Sequence, residues 1–141
     1  MTTPQDTPLK TATIEPAWTL HIELADRDDR RIRDGLTEAV GLRWGNYTGV
    51  TFESAPGMQT FRPSAGSVAE GHAQTVEMPA RVLSFSLPRD PQILGRAIET
   101  VRRLHSYEEP VIVVSETFVT RAITGDDRDN PNRWWNRGFK I

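Results

Sequence analysis

A chain of 141 residues, 37% hydrophobic and 26% charged, has the size and balance of one globular domain in water. Seventeen Lys and Arg against nineteen Asp and Glu give a net charge of −2, which argues against a surface built to neutralise nucleic-acid phosphates. The absence of cysteine excludes disulfides, thiol nucleophiles, thiolate-bound zinc and iron–sulfur clusters, and three histidines are few for a His-rich metal centre. No positively flanked apolar segment opens the chain, and no run reaches the roughly 20 apolar residues that span a bilayer. A cytoplasmic protein with neither nucleic acid nor membrane as partner is the expectation.

In chain order, residues 1–16 are rich in Thr and Pro and read as a flexible leader. Trp18, Leu20, Ile22 and Leu24 alternate with Thr19, His21 and Glu23, the period of a half-buried strand. Asp26 to Asp34 holds eight charges in nine residues, a solvated helix face with its acids near the start. Ile32, Leu36, Ala39 and Val40 supply the apolar side of that helix, which ends near Gly41. Extended chain resumes at Tyr47 with Val50 and Phe52 on one face. Pro56-Gly57 has the composition of a type II turn, so a hairpin reversal is expected over Glu53 to Met58. Thr60-Phe61-Arg62-Pro63 leads into a Ser/Gly/Ala loop up to Gly71, and Arg81 to Leu87 is the next strand, stopped by Pro88. Asp90 caps a second helix with Pro91 at its first position; Leu94, Ala97, Ile98, Val101 and Leu104 form its stripe, and Arg102, Arg103 and His105 complement its C-terminal dipole. Pro110 opens the last strand, Val111 to Val119.

The order β-α-β-β-α-β is that of the ferredoxin-like α+β sandwich, two helices on one face of a mainly antiparallel sheet, spanning residues 17–120. In that topology the last strand lies at an edge, yet Val111 to Val114 are apolar on both faces, which invites pairing. Residues 121–141 form a tail in which Asn130 is expected to cap a short helix with Pro131 at its first position, ahead of Arg133-Trp134-Trp135-Asn136-Arg137. The tail is read as packing back on the domain or on a neighbouring subunit, with partner docking and base stacking as its other readings. Val111, Val113, Trp134 and Trp135 are the expected interface residues of a homo-oligomer, dimer or trimer.

Two segments carry a family resemblance. Gly45-Asn46-Tyr47 followed by Gly57-Met58-Gln59-Thr60-Phe61-Arg62-Pro63 resembles the GNY…GTFRP segment of the Nif-three-like (YqfO-type) family. His105-Ser106-Tyr107-Glu108-Glu109-Pro110 resembles its HPYEEP motif with Ser106 in place of proline, and Glu77 matches a Glu ahead of the third strand. In full-length members these motifs belong to an inserted domain similar to CutA and PII-type proteins, while the paired-metal site belongs to flanking halves that this length does not accommodate. The resemblance therefore implies a stand-alone CutA/PII-like insert with a regulatory role, without the dinuclear-metal chemistry.

The motif residues are also the candidate site. His105, Tyr107, Glu108 and Glu109 offer a titratable base and carboxylates suited to a ligand or a divalent ion, with His105 and Glu108 or Glu109 as the metal candidates. Adjacent carboxylates in extended chain point opposite ways, which opposes joint chelation by Glu108 and Glu109. The alternative has His105 finishing the helix and Tyr107 filling the core edge. Asn46, Tyr47, Thr60, Phe61 and Arg62 form a second group, in which Arg62 either clamps an anion or bridges to Glu77 or Glu109. His21 reads as a solvated or interface residue, and His72 lacks ligand partners at recognisable spacing. No nucleophile–base pair, P-loop or dinucleotide fingerprint is present. The expectation is a non-catalytic, homo-oligomeric binding or regulatory module of unknown ligand. Two alternatives are a CutA-like divalent-metal protein and a small enzyme with His105 as base and Arg62 as anion clamp.

Overall fold

β1 (Ala12–Ala25) is the central strand of the sheet, because its alternation gives it one face to bury and its length gives it two neighbours. The computed structural model describes residues 2–71, 74–123 and 127–141; His72 and the tail residues 124–126 lie outside the described residues. After β1 come α1 (Asp29–Val40), the short β2 (Phe52–Glu53), β3 (Gly57–Phe61), β4 (Val76–Pro88), α2 (Pro91–Leu104) and β5 (Ile112–Ala122). The strands are ordered β2-β4-β1-β5, with β3 following β2 along the same edge of β4, and every pairing is antiparallel. This is the ferredoxin-like α+β architecture.

Leu20, Ile22 and Leu24 of β1 and Leu83, Phe85 and Leu87 of β4 meet Ile32 and Leu36 of α1 and Ala97 and Val101 of α2 in one core. Gly35 lets the helices approach closely, since a Cβ there would collide with the Leu104 side chain. Asp90 caps α2 as expected, its Oδ1 accepting from the Gln92 N–H at 2.8 Å. Among the described residues, no α-helix covers the opposite face. There Thr19 Oγ1 lies 3.0 Å from Ser86 Oγ and 2.7 Å from Thr117 Oγ1, and His21 Nδ1 lies 3.0 Å from Ser84 Oγ. His21 is exposed, in keeping with a solvated or interface residue.

Several boundaries differ from expectation: β4 starts at Val76 rather than Arg81 and β5 runs on to Ala122 rather than ending at Val119. β1 begins at Ala12, inside the expected leader, and pairs with β5 from Ala12↔Ala122 onward. Pro16 is tolerated because β4 reaches only Ala17 on the other side, so the edge asks no amide of it. The reversal expected at Pro56-Gly57 is absent: Phe52 pairs with Ser84 and Phe61 with Val76, so the chain keeps one direction throughout. Gly57 has no positive φ, which a type II turn requires at that position. Ser54 N–H donates to Val82 O at 2.9 Å and Gly57 pairs with Ala80, so Ala55 and Pro56 together oppose Arg81 as a β-bulge. The Ser54 hydroxyl accepts the Val82 N–H at 2.8 Å, keeping the ladder satisfied there. The true reversal runs through the loop after Phe61. Asn130, finally, accepts from Asn132 N–H at 2.9 Å in a turn rather than capping a helix at Pro131; only a single 3-10 turn, Trp134–Asn136, follows.

Candidate functional site

α2 delivers the His105–Pro110 segment to the end of the sheet. His105 ends the helix, its N–H donating to Val101 O at 2.8 Å. Its Nε2 lies 2.8 Å from the carbonyl oxygen of Glu23, which can only accept, so the proton is on Nε2; Nδ1 then accepts the Tyr107 N–H at 3.0 Å. The ring is 8% exposed and both nitrogens are spent. With both ring nitrogens engaged, this arrangement gives no support to the expectation that His105 serves as metal ligand or base. Ser106 is equally committed. Its N–H and hydroxyl donate to Asp28 Oδ2 at 3.3 and 2.5 Å, while Arg31 Nη2 meets Asp28 Oδ1 at 2.5 Å. Burial alone would raise the Asp28 pKa, but the bonds from Ser106 and Arg31 outweigh it and hold the carboxyl below its ordinary value. A proline at 106 would supply neither donor.

From Tyr107 onward the side chains turn to a cavity of about 570 Å³. Its wall is built from two segments far apart in sequence, Gln59 to Pro63 and Tyr107 to Glu109, with Val111 below and Ser64, Ser67 and Ala69 of the following loop above. Cross-strand pairing explains the meeting. Gln59 and Phe61 oppose Met78 and Val76, which alternate in phase with Val82, and Val82 opposes Glu23; all face the helix-free side. Gln59 Nε2 accordingly donates to Glu23 Oε1 at 3.0 Å. The Tyr107 ring lies 4.8 Å from that of His105 and 6.3 Å from that of Phe61, and its hydroxyl reaches Met78 Sδ at 3.5 Å. Burial, followed by the charges of Asp28 and Glu23, raises the Tyr107 pKa, so the phenol stays neutral. Glu108 Oε1 accepts the Val68 N–H at 2.7 Å and ties the loop to the wall. Glu109 lies 3.8 Å from Arg102. Arg62 donates to Thr75 Oγ1 at 3.3 Å and, among the described residues, forms no ion pair, so the expected alternative of a bridge to Glu77 or Glu109 is absent.

The structure thus joins Phe61, Arg62, Tyr107, Glu108 and Glu109, places His105 behind the wall, and separates Asn46 and Tyr47 from it. Asn46 sits at the tip of a tight turn that Tyr47 closes with Trp44, by Trp44 N–H to Tyr47 O at 2.8 Å and Tyr47 N–H to Trp44 O at 3.1 Å. Tyr47 is 62% exposed and does not line the cavity. Trp44 instead helps line a second hollow of about 240 Å³ with Thr19, Ser84 and Ser86, under the Arg121 guanidinium 4.3 Å away. Gln59 was missed as a site residue, although its period-two relation to Phe61 was readable in the strand. Among the described residues no three His, Asp or Glu side chains converge in a way that could hold a metal ion, and no helix is long and apolar enough to cross a membrane. Val111, Val113 and Val114 remain exposed along the β5 edge. Trp134 and Trp135 pack edge-to-face on each other, 5.6 Å apart, and the described tail residues make hydrogen bonds to one another.

No protein-family model and no curated protein matches the chain. Solved structures do. A Bacillus cereus protein related to NIF3 is similar with a TM-score of 0.61 and 22% identity, over 79% of this chain and 27% of that one. CutA from Synechococcus elongatus gives a TM-score of 0.54 at 13% identity, over 76% and 85% of the two chains. A GlnK–ATP complex from B. subtilis gives 0.51 at 11% identity, over 72% and 82%. This chain spans about a quarter of the NIF3-related protein but most of the CutA and GlnK chains. The shared property is the fold: a CutA/PII-like ferredoxin-like sandwich.

Proposed function

We propose that this chain is a non-catalytic binding module that takes a small organic ligand in the cavity between the Gln59–Pro63 and Tyr107–Glu109 segments. One observation carries the reading: two motifs some 40 residues apart in sequence converge on one concave, largely apolar site with a few polar groups, the usual form of a small-molecule pocket. The same motifs carry the resemblance to the Nif-three-like insert, and the similarity to a quarter-length segment of the NIF3-related protein supports that origin. A regulatory role in a homo-oligomer belongs to the reading. The exposed apolar β5 edge supports the assembly, since such an edge is a template for pairing with another copy.

The test is a thermal-shift screen of a small-molecule library on wild type, Phe61→Ala, Arg62→Ala and Tyr47→Ala. Ligands whose effect disappears in the first two variants and persists in Tyr47→Ala support the cavity as the site. Ligands that stabilise all four proteins alike place binding elsewhere and sink it. Light scattering of wild type against Val113→Lys addresses the assembly: a wild type that stays monomeric at high concentration removes the oligomer from the reading.

A further inference from the structure

The cavity holds opposite charges that leave each other alone. Arg62 and Glu108 both line it, yet among the described residues Arg62 makes no ion pair, and the only partner of the Glu108 carboxylate is the Val68 N–H. Glu109 adds a second, largely exposed carboxylate that leans outward to Arg102. Gln59 is spent on the wall itself, its Nε2 donating to Glu23 Oε1. The wall thus presents a guanidinium whose fork suits a carboxylate and a carboxylate that calls for N–H donors. Phe61, Tyr107 and Val111 add apolar surface.

A plain anion would satisfy Arg62 and face Glu108 unfavourably, and a plain cation would do the reverse. Resting on the cavity being the binding site, we infer that its occupant is a zwitterion with an apolar side chain, of the class of α-amino acids and short peptides. The carboxylate is held by Arg62, the ammonium by the Glu108 carboxylate, and the side chain by the Phe61–Tyr107 surface. Because burial free energy scales with apolar area, affinity within that class rises with the size of the apolar side chain.

Calorimetry on the full chain with L-phenylalanine, phenethylamine and 3-phenylpropionate separates the charges while keeping the ring. Binding of the zwitterion at least tenfold tighter than either relative is expected, with Arg62→Ala weakening it about 10- to 100-fold, the range for charge-assisted hydrogen bonds. Glu108→Gln keeps an oxygen for the Val68 N–H, so the loop stays tied, and should weaken phenylalanine about tenfold while leaving phenylpropionate unchanged or improved. L-Leucine and diphenylalanine extend the test across the class. Equal or tighter binding of the amine or the acid overturns the zwitterion and leaves the cavity reading intact. No binding by any of these compounds overturns the zwitterion as well, while the library screen on Phe61→Ala and Arg62→Ala still decides the cavity.

Discussion

Residues 105–106 and residues 107–109 are covalent neighbours with opposite allegiances. His105 is buried and Ser106 exposed, but both spend their polar atoms within the fold, on Glu23 O, the Tyr107 N–H and Asp28. Tyr107, Glu108 and Glu109 line the cavity. The first pair joins α2, β1 and the start of α1; the following three use that junction as a platform. A functional group held to a fixed position needs neighbours whose own rotamers are locked, and here the lock is the preceding dipeptide. The contrast also shows why a histidine inside a polar motif is not thereby reactive.

Breaking the anchor should cost stability, and breaking the wall should cost binding. The largest effect is expected for Asp28→Ala, which removes a side chain 1% exposed together with its bonds from Ser106 and Arg31; about 3 kcal/mol of unfolding free energy should be lost in denaturant titrations. His105→Ala comes next, at about 2 kcal/mol, from a lost packed ring and two unmet backbone groups. Zinc, copper and manganese titrations should show the same heats for His105→Ala as for wild type, and a heat lost only in the variant would return the imidazole to the site.

The third effect is pH-dependent. The folded-state pKa of Asp28 is depressed below its unfolded value, so its contribution is fully present above the ordinary carboxylate range and is lost as pH falls through the folded value. Stability should therefore decline on acidification below about pH 4, and Asp28→Asn should flatten that limb at the expense of stability at neutral pH. Smallest is Arg62→Ala, which should shift unfolding free energy by no more than about 0.5 kcal/mol, because the side chain is exposed and makes one hydrogen bond. A large loss there would mean that wall and anchor are one structural unit, and the comparison would dissolve.

The parts of the fold set by periodicity were readable without coordinates: the alternation of Leu20, Ile22 and Leu24, the stripe of α2 and its Asp90 cap each reflect a local rule that tertiary contacts reinforce. The start of β1 was not, because Thr- and Pro-rich chain reads as loop until a partner strand is known, and Arg121 to Ala122 provide it. Pro56-Gly57 misled for a related reason: proline suits a turn and an edge bulge equally, and the choice is made by β4. At the site, Phe61 and Arg62 were legible in one candidate group and Tyr107 to Glu109 in another, but their meeting was not, since it depends on the pairing of β3 with β4; the separation of Asn46 and Tyr47 depends on where the loop after α1 ends. The commitment of His105 was hidden because its partners are a carbonyl and an amide, which side-chain identities do not reveal.

The bulge at Ala55-Pro56 also marks where this chain can change length without harm. One extra residue is absorbed there, so Gly57 still opposes Ala80 and Phe61 still opposes Val76. Losing Pro56 would leave an unbroken ladder with the same residues facing the cavity, and a variant so shortened should unfold and bind as the parent does. Losing Thr60 instead would turn Phe61 to the helix side and strip the wall of its ring. In any alignment of related chains, a one-residue gap before Gly57 would therefore be silent, while the same gap three residues later would report a different site.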